Sequence, residues 1–388
     1  MGSLRKMARK TVKKGYVWQA IIEKGECPVT GKRLRDFKTL PEHFTQKQAD
    51  KAMRELQAEF NNGTYVENND ITVAEYFNDW LATYIVPHKS PTTAHTYDYN
   101  VRNYILPKFG NLKLQDLNTI EIQKWFNSLK VSPLSGRKLS PKTTRNIWLN
   151  FSAALKRAVQ LGIIKRNPAE NIELPKCKQY EAQIYDSAEI RKLIDAAQGT
   201  DMEVGIMTLL LMGLRRGELL AIKFEHIDYD NGILSIVENA VQVKDKIVIK
   251  DPKTANGTRK LEIPGVLLEL LERERSSYAQ RKIEYGARFH DTNLLICQPD
   301  GSPYRPDWYS EKFKRFLKAN GLKRIRLHDL RHTNATLMLR LGIHAKVMAH
   351  RLGHGSIGIT LQTYSHVINE MSTEANAKLE AGLKDIMG

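Results

Sequence analysis

At 388 residues, 41% of them hydrophobic and 27% charged, the chain is long enough for two or three domains, each with its own core. A formal charge of +17 implies an extended anionic partner, nucleic acid being the commonest, with a merely solvated basic surface as the plain alternative. Cys27, Cys177 and Cys297 lie far apart, which excludes a CxxC zinc framework and argues against a disulfide scaffold; no apolar run spans a membrane and the basic N-terminus lacks a signal-like apolar core, so a reducing cytoplasm is expected.

In chain order, Arg5 to Lys14 is a basic run without periodicity and reads as a flexible arm. Tyr16–Ile22 alternates as a strand, Pro28–Gly31 is a turn, and Lys32–Leu40 reads as a returning strand bearing Lys32, Arg33, Arg35 and Lys38. Thr45 then opens a helix to about Asn61, with Ala49, Met53, Leu56 and Phe60 as its apolar stripe. Residues 1–66 thus form a small module, a β-hairpin plus one helix. A two-stranded ribbon can enter a DNA major groove; the alternative is a structural cap with solvated lysines.

Thr64–Asp70 is polar and unpatterned, a linker. Thr72–Glu75 is a capping box, and Val73, Phe77, Trp80, Leu81 and Tyr84 continue an amphipathic helix. A second helix is predicted over Pro91–Leu106, a third is capped by Asn118, and a fourth runs from Ser140, with Pro141 in its first turn, to Leu161. With no strand signal between Ile71 and Ala169, residues 70–170 read as an all-α domain. Lys138, Lys142, Thr143, Arg145 and Lys156 are candidate phosphate contacts there; each alone is an ordinary surface residue, and together they suggest a face.

Residues 171–183 read as the next linker and 184–388 as the last domain, mostly helical with a small antiparallel sheet. Asp186–Glu189 caps its first helix, and Val204–Met212 is an apolar helix ended by Gly213. Gly232–Val243 and Lys246–Lys250 are predicted strands, with Thr258–Ile263 pairing back after the Asn256-Gly257 turn. Helices follow over Leu267–Tyr285 and Trp308–Leu317. His328 to Leu341 reads as a helix with Leu330, Leu337 and Leu341 as its buried stripe, ended by Gly342. After another short helical run, Gly353 sets His354 on a turn, and Tyr364 follows on a third helix. The tail Met371–Met387, with Ala375, Leu379, Leu383 and Met387, is amphipathic; docking on a neighbouring subunit and packing on its own domain are both open.

His328 and Arg331 stand one turn apart at a helix start, where free amides also favour an anion. Two imidazoles, a guanidinium and a phenol gathered on a strongly basic chain point to a phosphodiester. A metal site at His350 and His354 is the competing reading, but no Glu follows His350 and Gly353 interrupts the helix. His332, His344 and His366 carry no assigned role.

HDLRHT, the LGH of Leu352–His354 and TYSHV containing Tyr364, in this order and spacing, resemble the C-terminal signature of the tyrosine recombinases, the integrase family of phages and conjugative transposons. GLRRGELL at Gly213–Leu220 and PKTANGTRKLEIP at Pro252–Pro264 extend the resemblance, and the layout of the N-terminal half agrees, so it covers nearly the whole chain. It implies a multidomain α+β protein with an arm-binding domain, a helical core-binding domain and a catalytic domain. The implied activity is site-specific cleavage and rejoining of DNA through a covalent 3′-phosphotyrosine, without metal or other cofactor. By the same resemblance Tyr364 is the nucleophile, Arg215 and Arg331 clamp the scissile phosphate, and His328 is general base or phosphate donor. His354 is a second donor, and Lys253 protonates the departing 5′ oxygen. The GLR alignment favours Arg215 over Arg216, with Glu218 orienting Arg215 from one turn away. A phenol titrates near 10, so ionising it at pH 7 costs about 4 kcal/mol without help, which nearby guanidiniums would offset.

The implied partners are double-stranded DNA at core and arm sites, a homotetramer passing through a Holliday junction, and accessory DNA-bending or directionality proteins, all at the bacterial nucleoid and none in a membrane. Two rivals stand beside this reading. A type IB topoisomerase shares the chemistry but needs no second DNA address; a DNA-binding regulator on a dead scaffold would lack a nucleophile, arginine or lysine that this chain retains.

Overall fold

The computed structural model describes residues 2–9, 11, 14–26, 30–63, 65–177, 182–243, 246–251, 257–353 and 355–358, with single positions at 361, 376, 380, 382 and 383. Lys253, His354, Tyr364, the turn at Pro28 and nearly all of the tail lie outside the described residues. The chain forms two compact units, Met1–Lys178 and Gln179–Gly388.

The first unit begins with a three-stranded antiparallel sheet, β1 (Ser3–Ala8), β2 (Tyr16–Glu26) and β3 (Arg33–Thr39), in the order β1-β2-β3. Strand β1 corrects the flexible-arm expectation for the first part of the basic run. Alternation is hidden there because an exposed lysine stands on the face that Leu4 shares: the Lys6 ammonium lies 4.7 Å from the Tyr16 ring centroid and 5.3 Å from that of Trp18. Leu4, Trp18, Ala20 and Ile22 share that face and pack on α1 (Gln46–Asn61), through Ala49, Met53 and Leu56. Thr45 and Gln48 cap the helix reciprocally.

Next come α2 (Val73–Trp80), α3 (Val86–His88), α4 (Pro91–Asn100), α5 (Leu106–Phe109), α6 (Thr119–Ser128) and α7 (Pro141–Gln160). A wider π turn, Leu81–Ile85, runs from α2 into α3, and another, Val101–Ile105, joins α4 to α5. Each stops just short of a proline, Pro87 or Pro107. Proline has no N–H and its ring clashes with the carbonyl four residues back; the wider turn absorbs both defects without breaking the rod. The core centres on Phe77, Phe109 and Phe151, the last two stacked with centroids 5.5 Å apart. Between Ile71 and Ala169 the described residues form only isolated bridges, Thr72 with Lys113 and Val131 with Lys138.

The second unit contains α8 (Ser187–Ala197), α9 (Glu203–Met212), α10 (Arg216–Leu219), β4 (Ile227–Asp228), β5 (Ile233–Ile236), β6 (Asn239–Val243), β7 (Lys246–Lys250), β8 (Arg259–Glu262), α11 (Gly265–Tyr285), α12 (Pro306–Ala319), α13 (Asp329–Arg340) and α14 (Ala345–Leu352). Two antiparallel pieces replace the single pairing scheme expected. β8 pairs not with β7 but with β5, giving the order β4-β5-β8, while β6 and β7 make a separate ribbon. Leu261 on β8 stands opposite Leu234 on β5, both buried, so core packing sets this register rather than proximity along the chain.

The leucine stripe of α13 also needs correction. Leu330 is fully buried, but Leu337 is 38% and Leu341 69% exposed. The buried side instead includes Thr333, Asn334, Ala335 and Met338. Two polar groups on that side find partners inside: the Thr333 hydroxyl donates to the Asp329 carbonyl (2.9 Å), and Asn334 Nδ2 donates to the Leu210 carbonyl on α9 (2.6 Å). A helix that buries polar side chains defeats a search for apolar periodicity.

Candidate active site

The site is built where three helix ends meet. Helix α9 stops at Gly213, left-handed at φ 65°, and a Cβ there would lie 2.4 Å from Asn334 Oδ1. Glycine is required both by that conformation and by the close approach of α13. Two residues on, Arg215 starts α10, and Glu218 reaches back to accept its backbone N–H (2.9 Å). Gly217 lets this short helix sit against β6, since a Cβ would meet Asn239 Oδ1 at 2.4 Å and the Ala240 carbonyl at 2.6 Å. Helix α14 ends at Gly353, also left-handed (φ 63°), which leaves its last carbonyls open to outside donors.

Three guanidiniums take those carbonyls in succession. Arg259 Nε donates to the Arg351 carbonyl (2.9 Å), Arg331 Nη2 to that of Leu352 (2.6 Å) and Arg215 Nη2 to that of Gly353 (2.8 Å). Arg331 Nη1 also donates to the Gly213 carbonyl (2.8 Å), tying the end of α9 to the end of α14. Cations at helix C-termini complement the partial negative charge there.

Glu218 sits beneath this cluster, 3% exposed. It accepts from Arg215 Nη1 (2.6 Å) and from Arg259 Nη1 and Nη2 (3.3 and 3.0 Å). Burial alone would raise its pKa, but Arg259 and then Arg215 outweigh burial and hold the carboxyl below its usual range. Glu218 thus contacts both the backbone N–H and the guanidinium of Arg215. Arg216 diverges: its Nη1 donates to Ser310 Oγ on α12 (2.7 Å).

His328 precedes α13 on the same side chain row as Arg331. His328 is exposed and has cationic neighbours in Arg331 and Arg326. Partial desolvation by the surrounding protein, then His332 (edge-on, centroids 5.1 Å apart), Arg331 and Arg326, push its pKa down to about 4. The imidazole is thus neutral at pH 7 and able to accept a proton. His344 caps α14, its Nδ1 accepting from the Lys346 N–H (3.2 Å).

Arg259 was not singled out by sequence reasoning. The signal was present: it stands in phase with Leu261 on the buried side of β8, and an inward arginine demands a buried partner.

Of the candidate DNA contacts, Lys32, Arg33 and Arg35 are exposed. Arg35 shares the face of β3 opposite α1 with Phe37, over which Arg5 stacks at 5.2 Å. Lys38 is not brought together with them. It is half-buried on the other face, where burial and then Lys165 lower its pKa. On α7, Lys142, Arg145 and Lys156 are exposed and fall along one face by helical spacing, whereas Thr143 is engaged with Ser140 at the cap (2.9 Å) and Lys138 lies before the helix.

The family model described as "Phage integrase family" matches residues 183–371, and "Phage integrase, N-terminal SAM-like domain" matches 72–130. The chain is 28% identical to the ICEBs1 integrase of Bacillus subtilis, over 94% of this chain and 96% of that one. It is 26% identical to a tyrosine recombinase XerC-like protein of Caldanaerobacter subterraneus, over 95% and 98%. A solved structure of the Tn1549 transposon integrase in complex with transposon right end DNA superposes with a TM-score of 0.66 at 20% identity, over 80% of this chain and 99% of that one. A lambda integrase tetramer bound to a Holliday junction gives 0.57 at 18% identity, over 92% and 94%. At such identities the structural likeness shows a shared fold.

Proposed function

The chain belongs to the phage integrase family of tyrosine recombinases, and from that premise we propose that it cleaves and rejoins DNA at specific sites through a covalent 3′-phosphotyrosine, moving a phage or conjugative transposon into and out of a chromosome. The observation that carries the reading is the convergence of Arg215 and Arg331 on consecutive carbonyls, Gly353 and Leu352, immediately before His354. Two guanidiniums fixed side by side, with neutral His328 one turn from Arg331, match what phosphoryl transfer needs: preorganised positive charge and a proton acceptor.

In this mechanism the Tyr364 oxygen attacks phosphorus, its proton passing to His328, while the bond from phosphorus to the 5′ oxygen breaks and Lys253 protonates the leaving group. Arg215, whose side chain is 40% exposed, contacts the non-bridging oxygens directly. Arg331, 2% exposed, forms the positive floor of the site, and His354 donates a further hydrogen bond. The phosphodiester energy stays in the protein–DNA bond, so rejoining needs no cofactor. Residues 1–66 would address arm sites through Lys32, Arg33 and Arg35, and 70–170 core sites through Lys142, Arg145 and Lys156. Residues 171–183 would link them to the catalytic domain, 184–388. The working assembly would be a tetramer on two DNA sites, joined by accessory bending or directionality proteins, in the bacterial cytoplasm. Among the described residues no helix is long and apolar enough to cross a membrane.

The test uses a nicked core site that traps the cleaved state. The full chain should yield a protease-sensitive covalent DNA adduct. Tyr364→Phe should yield none while binding the site within a few-fold of the parent; an adduct formed by Tyr364→Phe overturns the assignment.

A further inference from the structure

We propose that Arg259 is a positioning residue of the strand-cleavage reaction, holding the Glu218 carboxylate that fixes Arg215 and tying it to the Gly257 and Arg351 carbonyls; this inference rests on the recombinase reading above.

Its side chain is 2% exposed and each nitrogen has a specific partner. Nη1 and Nη2 both donate to Glu218, so the carboxylate that holds Arg215 Nη1 is itself held from the opposite side. Nη1 also donates to the Gly257 carbonyl (3.1 Å), at the end of the segment that carries Lys253 in the sequence. Nε donates to the Arg351 carbonyl, in the last turn of α14 before His354. One guanidinium therefore contacts the anchor of Arg215, the base of the lysine-bearing segment and the helix leading to the second histidine.

The chemistry suits arginine and no other residue. A planar fork with five N–H donors can bond a carboxylate and two carbonyls lying in different directions, whereas an ammonium has three donors on one atom. Without Arg259, Glu218 would keep only Arg215 as a charged partner and could rotate with it. Arg215 would remain present and charged but less constrained around the phosphoryl oxygens. Catalysis by preorganised charge is sensitive to that freedom, while DNA affinity, spread over many phosphate contacts, is not. Groups that orient a reacting residue in this way typically change activity by about 10–100-fold when removed.

The test measures single-turnover adduct formation by the full chain on a nicked core site, for Arg259→Lys and Arg259→Met, with site affinity measured alongside. Each variant is also given a substrate whose scissile phosphate is a neutral methylphosphonate. That group carries no non-bridging negative charge and depends less on an oriented Arg215. On phosphate DNA the expected result is a fall of about tenfold for Arg259→Lys and up to about a hundredfold for Arg259→Met, with site affinity within about threefold. On methylphosphonate DNA both variants, like Arg215→Ala, should recover to within a few-fold of the parent chain.

Arg259→Lys keeps charge and most of the volume, so it reports even if Arg259→Met does not fold. Combined with Glu218→Gln, it should add little further slowing, because both changes release the same guanidinium. Parental cleavage rates in Arg259→Lys, equal slowing on both substrates, or defects that multiply with those of Glu218→Gln would each overturn the proposal. Failure of the parent chain itself to form an adduct would instead refute the recombinase reading.

Discussion

Replacing Glu218 by glutamine removes one charge and leaves the volume of the side chain intact. The carboxylate accepts from the Arg215 N–H and guanidinium and twice from Arg259, whose side chain is 2% exposed. A glutamine has one carbonyl oxygen to offer; its amide turns donors towards donors, so about half of these bonds are lost. Hydrogen bonds to charged groups contribute about 1.5–3 kcal/mol each, and breaking a buried ion pair from one side costs about 3–5 kcal/mol. Since part of the bonding survives, about 3 kcal/mol is expected. For a unit the size of Gln179–Gly388 that lowers the melting temperature by about 6–12 °C. Calorimetry of the full chain at pH 7 measures it. The sign with pH is a second check. The folded carboxyl titrates below its usual range, so its contribution is present above the ordinary carboxyl pKa and is lost as pH falls through the lowered one. The gap between parent and Glu218→Gln should therefore narrow in acid. A variant melting within about 1 °C of the parent at pH 7, or a gap that widens in acid, refutes the reasoning.

Lys253→Ala should cleave ordinary DNA poorly but recover on a substrate whose bridging 5′ oxygen is sulfur, because a thiolate, its conjugate acid near ~8.5, leaves with little protonation; Lys250→Ala should be normal on both, and equal slowness of Lys253→Ala on both would remove its role as acid. Arg33→Ala with Arg35→Ala should lower the salt slope of arm-site binding by about 2 and spare core-site cleavage, whereas Lys38→Ala, on the other face of β3, should not change that slope; an unchanged arm footprint in the double variant favours a purely structural module. Because His328 titrates at about 4, it stays neutral through mildly acidic pH, and the acid limb of the cleavage rate should lie well below an ordinary histidine's ~6.5. The unfolded chain takes up this proton first, so the same group removes stability as pH falls from ~6.5 to about 4. A rate profile with its acid midpoint near 6.5 would exclude His328 as the free base.

Local physics was legible in the chain. Thr45, Thr72, Asp186 and Ser140 announce helix starts because each needs only a side chain oxygen and an amide three residues on. Gly213, Gly342 and Gly353 mark helix ends because a left-handed residue favours glycine whatever surrounds it. The order of GLRRGELL, HDLRHT and LGH likewise singles out Arg215, His328 and Arg331. What pairs with what was not legible. β8 joins β5 instead of β7 because Leu261 meets Leu234 in a core assembled from distant segments. β1 was hidden by Lys6, an exposed lysine whose place beside Leu4 is explained only once its ammonium lies over Tyr16 and Trp18. The leucines of α13 suggested an apolar seam, yet its buried side is held by Asn334 and Thr333, and Leu337 and Leu341 face outwards. Arg259 reads on paper as one more basic residue among sixty. Its buried place between Glu218 and the ends of two segments is a many-body fact, decided by a carboxylate and two carbonyls that only the tertiary fold brings within reach of one guanidinium.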